Sequence, residues 1–183
     1  KAARQCRRQF IIDMYTAEIL RATGNSKLPQ ADWDGIKVFL PEFQKKRIVR
    51  IGKASVANKY RPYRIFPEDL AAASKNSAML FRPSMQIDVE RAGCLDEACL
   101  VYSMWDGYLA DEKTKLFLRW LKGRRIPMYK CHTSGHASVR GLQLLRTAFA
   151  GAVVCPVHTI DPMAFSQLFE NVRVLTDGEH FDI

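Results

Sequence analysis

Three of the four histidines of this chain lie within 27 residues of one another. Residues 131–138 read CHTSGHAS, with His132 and His136 on either side of a Ser-Gly pair, and residues 155–158 read CPVH, ending at His158. Imidazole can act as a general acid, a general base or a metal ligand near neutral pH, so one interpretation of this grouping is a hydrolytic site. The other interpretation is three structural histidines that bond locally, and the spacing alone leaves both open.

The loop around Ser134 and Gly135 has the composition of an anion-binding turn. It is predicted to follow a strand and to precede a helix that starts near Ala137. Gly135 permits a tight turn and a close approach of ligand to backbone, and Ser134 adds a hydroxyl donor. The first N–H groups of the helix could receive an anion, and His136 could donate to a phosphate oxygen. The alternative is that Ser134 only caps the helix.

His158 is predicted at the end of an apolar strand, AVVCPVH, where a neutral imidazole is well placed as a metal ligand. One histidine cannot hold a metal, and the chain contains no HxH, HExxH or HxHxDH cluster. His158 is therefore either one ligand of an incomplete site or a structural residue. Asp13 and Glu18 could be read as an acid–base pair, but capping of a helix by Asp13 is the preferred interpretation.

Short apolar strands alternate with helices along the chain and would position these residues. Strands are predicted in the segments RQFIID, IKVFLP, AMLF, CLVYSMW, IPMYKC, AVVCPVH, VRVL and HFDI. Helices are predicted in TAEILRATG, PEDLAAASKNS, DEKTKLFLRWLKGRR, SVRGLQLLRTAFAG and DPMAFSQLFEN, and in part of the basic segment 42–66. The alternation is typical of an α/β protein with a mainly parallel sheet and helices on both faces.

Polar residues follow three of the predicted strands, at 82–84, 103–106 and 132–136. In open α/β sheets, ligands gather at the carboxyl ends of the strands. We therefore expect Arg82, Ser103 and the loop that contains His132 to line one crevice.

The chain carries 28 Lys and Arg against 19 Asp and Glu, a net charge of +9. The basic residues gather in KAARQCRR, QKKRIVRIGK, KYRPYR and KGRR. Such charge favours polyanions, and nucleic acid in particular, over a neutral partner. The aromatic residues Trp33, Trp105, Tyr108 and Phe117 are expected in the core rather than on a base-stacking platform.

The remaining composition indicates an ordinary globular protein of 183 residues, with one domain or one and a half. No stretch approaches the length of apolar sequence that a membrane span needs. The five cysteines are odd in number and contain no CxxC pair, so neither a disulfide framework nor a structural zinc knot is expected. A reducing, cytoplasmic location follows as the prediction.

Residues 129–183 resemble the C-terminal segment of metallo-β-lactamase-fold hydrolases, in the nucleic-acid-processing branch that contains ribonuclease J and carries the β-CASP insertion. The similarity lies in the SGH turn, the helix after it and the P-x-H at a strand end, and RQFIIDMYTAEIL and CLVYSMWDGYL also look like this family. The resemblance implies a β-CASP-like α/β domain at residues 1–130. It implies the C-terminal segment of the metallo-β-lactamase fold at residues 131–183.

The resemblance also implies a role for each matching residue. His136 would be the catalytic residue at the scissile phosphate, by transition-state stabilisation or proton transfer, and His158 would complete a two-zinc site. The residues that would hold the substrate phosphate are Ser103, His132, Ser134, Gly135 and Arg82. Arg82 is included by position and charge rather than by a motif.

The sequence departs from the family in one respect: HxHxDH and two further ligands, which lie before the inserted domain in the family, are absent. We therefore expect this chain to be the C-terminal portion of a zinc-dependent nuclease, with RNA favoured over DNA, and to be inactive without an N-terminal half or partner chain. Homo-oligomers are also expected, because a half-sheet without its partner exposes apolar surface. The alternatives are a metallo-hydrolase of a small molecule and a noncatalytic nucleic-acid-binding module.

Overall fold

A four-stranded parallel sheet organises the first of the two compact units into which the chain divides, residues 1–131 and 132–183. The computed structural model describes residues 2–132, 135 and 137–181. The strands are β1 (Gln9–Asp13), β2 (Ile36–Phe39), β3 (Arg64–Ile65) and β4 (Ser77–Met79), in the order β3-β2-β1-β4. The chain thus moves outward from β1 to β3 and then returns to the other side of β1. The predicted α/β class with a mainly parallel sheet is confirmed.

Helices connect and flank these strands. In the first unit they are α1 (Ala2–Gln5), α2 (Met14–Ala22), α3 (Glu42–Arg50), α4 (Ser55–Lys59), α5 (Pro67–Ala73), α6 (Gln86–Arg91) and α7 (Glu112–Gly123). Pro67 occupies the first position of α5, where its fixed φ suits the helix and no N–H is lost. None of the helices in the described residues has the length and apolar character needed to cross a membrane.

The sheet buries both of its faces. Successive side chains of β1 point to opposite sides, so Ile12 packs in one apolar cluster with Val38 and with Ala17 of α2, and Ile11 packs in another with Phe39 and Leu70 of α5. Helices therefore cover both faces, as predicted. This explains the unbroken apolar run in β1, since a parallel strand buried on both sides has no polar face.

A second parallel pair, β5 (Leu100–Tyr102) and β6 (Met128–Lys130), forms a separate two-stranded sheet. It packs with α7 around Phe117 and Leu121, and the ring of Phe81 stacks between neighbours in the same cluster. A cavity of about 340 Å³ lies between the segment after β4 and β5.

Three of the four aromatic residues expected in the core are exposed. Phe117 is buried as predicted, whereas Trp33 is 40% exposed. Trp105 and Tyr108 also lie at the surface, where they contact each other edge to face with ring centroids 5.5 Å apart. Tyr108 lies in a 3₁₀ turn, Asp106–Ala110, and Trp105 directly precedes this turn. These two rings pack against each other and are not members of the apolar cluster around Phe117. The prediction of core positions is therefore wrong for Trp33, Trp105 and Tyr108.

The second unit forms less regular structure than its sequence predicts. Its helix α8 (Val139–Ala148) is present, but the predicted strands AVVCPVH and VRVL contribute a single parallel bridge, between Val154 and Val172. The predicted helix DPMAFSQLFEN is one 3₁₀ turn, Met163–Gln167. In HFDI, His180 and Phe181 are not in a strand, and the last two residues lie outside the described residues.

The reason for this difference is the lack of neighbours within the unit. Strands of a parallel sheet are stable when further strands pair with them and when both faces are covered. Phe169 is the one buried residue among the described residues of this unit. Apolar runs that would suit inner strands here have no sheet to join.

Candidate functional site

A buried carboxylate lies at the carboxyl end of β1. Asp13 is the last residue of β1 and the N-cap of α2, and its side chain has 0% exposure. Its Oδ1 accepts hydrogen bonds from the Thr16 backbone N and Gln44 Nε2, both at 2.9 Å. Its Oδ2 accepts from Arg82 Nε at 2.8 Å and from Thr16 Oγ1 at 3.1 Å. The capping role predicted for Asp13 is confirmed, whereas Glu18 bonds to Arg21 instead.

These contacts decide the charge of Asp13. Burial raises the pKa of its carboxyl, but the hydrogen bonds from Gln44, Arg82 and Thr16 outweigh burial and hold the pKa below its ordinary value. The carboxylate is therefore ionised at neutral pH. Its four hydrogen bonds match the number of lone-pair sites that a carboxylate offers. Asp13 is thus an anchor for its neighbours rather than a group that can take a proton from a ligand.

The guanidinium of Arg82 contacts the buried Asp13 and is also partly exposed to solvent. Met79 of β4 lies opposite Ile11, so the chain that follows β4 passes the end of β1 and brings Arg82 to Asp13. Arg82 Nη2 also donates to Thr16 Oγ1 at 3.1 Å, and the Arg82 side chain is 43% exposed. Two of the five guanidinium N–H groups are used in these bonds. The exposed part of the group has the geometry and charge to bind an anion such as phosphate.

Tyr15 and Gln44 complete the cluster. Gln44, in the first turn of α3, accepts a hydrogen bond from the Tyr15 backbone N at 3.0 Å through its Oε1, while its Nε2 donates to Asp13. The Tyr15 ring is 55% exposed, and its centroid lies 5.7 Å from Arg82 Cζ. The starts of α2 and α3 and the loop after β4 therefore meet at one point.

This point is where the strand order reverses. The chain proceeds from β1 to β2 on one side and reaches β4 on the other, so the reversal falls between the carboxyl ends of β1 and β4. In open α/β sheets this is the general location of ligand sites. The Asp13–Arg82 cluster is therefore the candidate functional site, on position as well as on chemistry.

The predicted site residues lie in several places. Ser103 directly follows β5 and lines the 340 Å³ cavity together with Leu80 and Phe81, the residues that lead to Arg82. His132 and Gly135 are exposed and belong to the second unit. Ser134 and His136 lie outside the described residues. The single crevice that would join all three strand ends stays a prediction.

The helix after the SGH turn begins later than predicted. Its N-cap is Ser138, whose Oγ accepts a hydrogen bond from the Gly141 backbone N at 3.1 Å. Ser134, for which capping is the alternative interpretation, lies outside the described residues, so its role stays a prediction. The first turn of α8 is already satisfied in part by its own serine.

His158 is exposed and follows no strand, which corrects its predicted position at a strand end. Its backbone is in the left-handed region, with φ at 56°. For a residue with a Cβ this costs about 1–2 kcal/mol, but Arg7, Glu97 and Arg125 adopt the same region, so the strain does not single out His158. Within residues 2–132, 135 and 137–181, no three His, Cys, Asp or Glu side chains are grouped so that they could hold a metal ion.

Sequence reasoning missed three members of the cluster: Tyr15, Thr16 and Gln44. Arg82 could be found because it follows a strand, and Asp13 because it precedes a helix. Gln44 gave no signal, since it lies in a segment with weak periodicity, and only the adjacency of β1 and β2 brings it to Asp13.

No family model, curated protein or solved structure matches this chain. The features that bear on its function are consequently those of the molecule itself. They are the anchored arginine at the sheet edge and the excess of positive charge.

Proposed function

We propose that this chain is the C-terminal portion of a zinc-dependent phosphodiesterase, a cytoplasmic nuclease of the metallo-β-lactamase fold and β-CASP branch that acts on RNA. Arg82 binds a phosphate of the substrate, His136 acts at the scissile phosphate and His158 contributes one zinc ligand. Ser103, His132, Ser134 and Gly135 are proposed to complete the phosphate contacts. The observation that carries the proposal is the exposed guanidinium of Arg82, fixed on buried Asp13 at the reversal of strand order.

The anchoring of Arg82 is what suits it to phosphate. A free arginine side chain loses rotamer freedom when it binds a ligand, which weakens binding. Two hydrogen bonds, to Asp13 and Thr16, already hold Arg82 in one orientation. Its remaining N–H groups can then bind phosphate oxygens in the planar geometry that arginine favours. The net charge of +9 would attract the polyanion to this face over a longer range.

Zinc, when bound, would polarise a phosphoryl oxygen and lower the pKa of a water molecule. The described residues of this chain do not fit a zinc site by themselves, because no three potential ligands are grouped among them. The proposal therefore takes the other ligands from an N-terminal half or a partner chain, with His158 as the contribution of this chain.

The test uses both this chain and the complete product of its gene. For this chain we expect less than one zinc ion per molecule and no cleavage of RNA, measured by elemental mass spectrometry and with labelled RNA. In the complete product, His158→Ala should remove about one zinc ion and abolish cleavage. Two zinc ions on this chain alone, or full activity of the variant, would contradict the proposal.

A noncatalytic nucleic-acid-binding module is the second candidate, and one observation favours it. Asp13, Thr16, Gln44 and Arg82 all belong to the first unit, so the arginine proposed to bind phosphate is anchored without any histidine. Both candidates predict RNA binding that survives chelation of metal and weakens with salt. They differ in one outcome, because a module predicts no cleavage by the complete gene product under any metal.

A further inference from the structure

Residues 42–64 account for most of the net positive charge of the chain. The segment contains eight Lys and Arg and one acidic residue, Glu42, so it carries +7 of the total +9. α3 opens this segment, and none of its nine residues is buried. The charge of the helix is therefore presented to solvent.

One side of α3 combines this charge with an aromatic ring. Helical spacing places Phe43, Lys46, Arg47 and Arg50 on the same side, at positions i, i+3, i+4 and i+7. All four are exposed, and the Phe43 side chain is 58% exposed.

The opposite side of α3 attaches the helix to the protein. Gln44 bonds to Asp13, and Ile48 packs against the apolar cluster that contains Ile12 and Val38. Because Gln44 and Ile48 contact the body of the first unit, the side of α3 with Phe43 and the basic residues faces solvent.

The first turn of α3 lies beside the candidate phosphate site. The backbone N of Tyr15 bonds to Gln44 in the first turn of α3, and the Tyr15 ring lies next to Arg82. We define the α3 surface as Tyr15, Phe43, Lys46, Arg47 and Arg50. It offers two exposed rings and three cations, and its member Tyr15 lies beside Arg82. The stripe from Phe43 to Arg50 is about 10 Å long.

We propose that the α3 surface binds single-stranded RNA, with phosphates on Lys46, Arg47 and Arg50 and unpaired bases stacked on Tyr15 and Phe43. Cations along a groove or ridge follow a nucleic-acid backbone, and exposed rings take up bases whose faces are open. A duplex hides its base faces within the stack, so exposed rings favour a single strand. The choice of RNA rests on the proposed function.

The charge contacts are tested with a triple variant and a matched control. Binding of a fluorescein-labelled 12-nucleotide oligouridylate to the full chain is followed by anisotropy at several salt concentrations. K46Q/R47Q/R50Q should weaken binding about tenfold and make the slope of log K against log salt shallower by about 2. K113Q/R119Q/K122Q removes equal charge from exposed positions of α7 and should change the affinity less than about twofold. Equal effects of the two triple variants would overturn the proposal.

The stacking contacts are tested in the same assay. Tyr15→Leu and Phe43→Leu should each weaken binding by about fivefold or more without changing the salt slope, because a ring is lost and no charge. Tyr108→Leu, which removes an exposed ring elsewhere, should bind like the unmodified chain. Wild-type affinity for both Leu variants at α3, or equally tight binding of a 12-base-pair RNA duplex, would overturn the single-strand assignment.

Two competitors and one further variant complete the design. Oligothymidylate or polyglutamate that binds more tightly than the RNA would overturn RNA as the occupant. R82Q, with R82K as the variant that retains the charge beside Asp13, separates this inference from the proposed function. RNA binding that is lost in R82Q but intact in K46Q/R47Q/R50Q would refute the α3 surface and leave the phosphate site at Arg82 standing. RNA binding that is intact in R82Q but lost in K46Q/R47Q/R50Q would refute the phosphate site at Arg82. Circular dichroism checks that each variant is folded.

Discussion

Asp13 accepts hydrogen bonds from three residues that lie 3, 31 and 69 positions away in the sequence, Thr16, Gln44 and Arg82. It therefore links the start of α2, the start of α3 and the loop after β4 through one fully buried side chain. Removing the charge of a buried, hydrogen-bonded carboxylate leaves its partners unsatisfied, which costs more than the net value of the bonds. The stability of the site and the orientation of Arg82 thus depend on the same residue.

Asp13→Asn should lower the free energy of unfolding by about 2–4 kcal/mol, because the amide cannot accept all four hydrogen bonds and leaves Arg82 without its counter-charge. Urea denaturation at pH 7 measures the change. The control is Asp106→Asn, which breaks an ion pair with Lys130 at 2.9 Å. Both partners of that pair are more than half exposed, so its loss should cost less than about 1 kcal/mol. Similar losses in the two variants would contradict the role of Asp13.

Glu18 gives the molecule a defined response to acid. The hydrogen bond from Arg21, followed by one from the buried Tyr60, lowers the pKa of Glu18 to about 2. Because the pKa is lower in the folded chain, ionised Glu18 stabilises the fold above about pH 4.5, and this contribution is lost as the pH falls toward 2. Glu18→Gln should reduce the melting temperature at pH 7 and flatten its dependence on pH between 4.5 and 2.

The matched control for Glu18 is Glu68→Gln, at an exposed position in the first turn of α5. Its melting temperature should fall with acid as steeply as that of the unmodified chain. Melting curves recorded from pH 2 to pH 7 decide the comparison. A Glu18→Gln variant that keeps the full acid dependence would show that the Arg21 and Tyr60 contacts do not control the ionisation of Glu18.

Among the elements, β1 and α2 are joined with no loop between them, since Asp13 ends the strand and caps the helix. α2 then ends at Ala22, and Gly24 has a φ of 62°, in the left-handed region that stops a helix. The strand β1 and the helix α2 could be predicted from sequence, because the apolar run, the capping residue and the terminating glycine are all local signals.

Gly24→Ala should destabilise the chain by about 1 kcal/mol, because a Cβ disfavours the left-handed backbone that Gly24 adopts. Gly123→Ala is the comparison: Gly123 is the last residue of α7 and has open space around its Cα. There alanine should be neutral or stabilise by up to about 1 kcal/mol, since it lowers the entropy of the unfolded chain. Thermal unfolding of both variants gives the sign, and a loss of stability in Gly123→Ala alone would contradict the prediction.

The segment from Ala152 to Leu175 shows where local signals are insufficient. Its apolar runs, AVVCPVH and VRVL, have the composition of buried strands, yet they form one bridge, Val154 to Val172. Composition predicts that a strand is possible there, whereas hydrogen-bonded neighbours decide whether it forms. β1 and β2 have such neighbours on both sides, and these two runs do not have them within the described part of the second unit.

At the level of the whole molecule, the apolar core is unevenly distributed between the two units. All three clusters of buried apolar residues lie in the first unit, around β1 and β2 and around α7. Among the described residues of the second unit, only Phe169 is buried. Since burial of apolar surface supplies most of the favourable free energy of folding, the second unit has the lower local stability.

Hydrogen exchange should reveal this difference. We expect the amides of Ile11 and Ile12 in β1 to exchange at least about 100-fold more slowly than those of Leu142–Arg146 in α8, because α8 opens without disrupting a large core. Exchange followed by mass spectrometry of peptides, or by NMR, measures both regions in one experiment. Equal protection of β1 and α8 would mean that the two units unfold as a single cooperative body.

The sequence by itself did not predict β3, α1 or α6, but it determined the α/β class, the strands β1, β2, β4, β5 and β6, the helices α2, α5 and α7, and the capping role of Asp13. These depend on short-range signals: apolar runs, a capping carboxylate, and Gly or Pro at the ends of elements. Only the tertiary structure decided that Gln44 and Arg82 meet at Asp13, because this requires β2 and β4 to pair on either side of β1. It likewise decided that Trp105 is exposed, that α3 turns one basic face to solvent, and that Val154 and Val172 form a bridge instead of a sheet. Each of these outcomes depends on pairing and packing between residues far apart in the chain, and no local pattern contains that information.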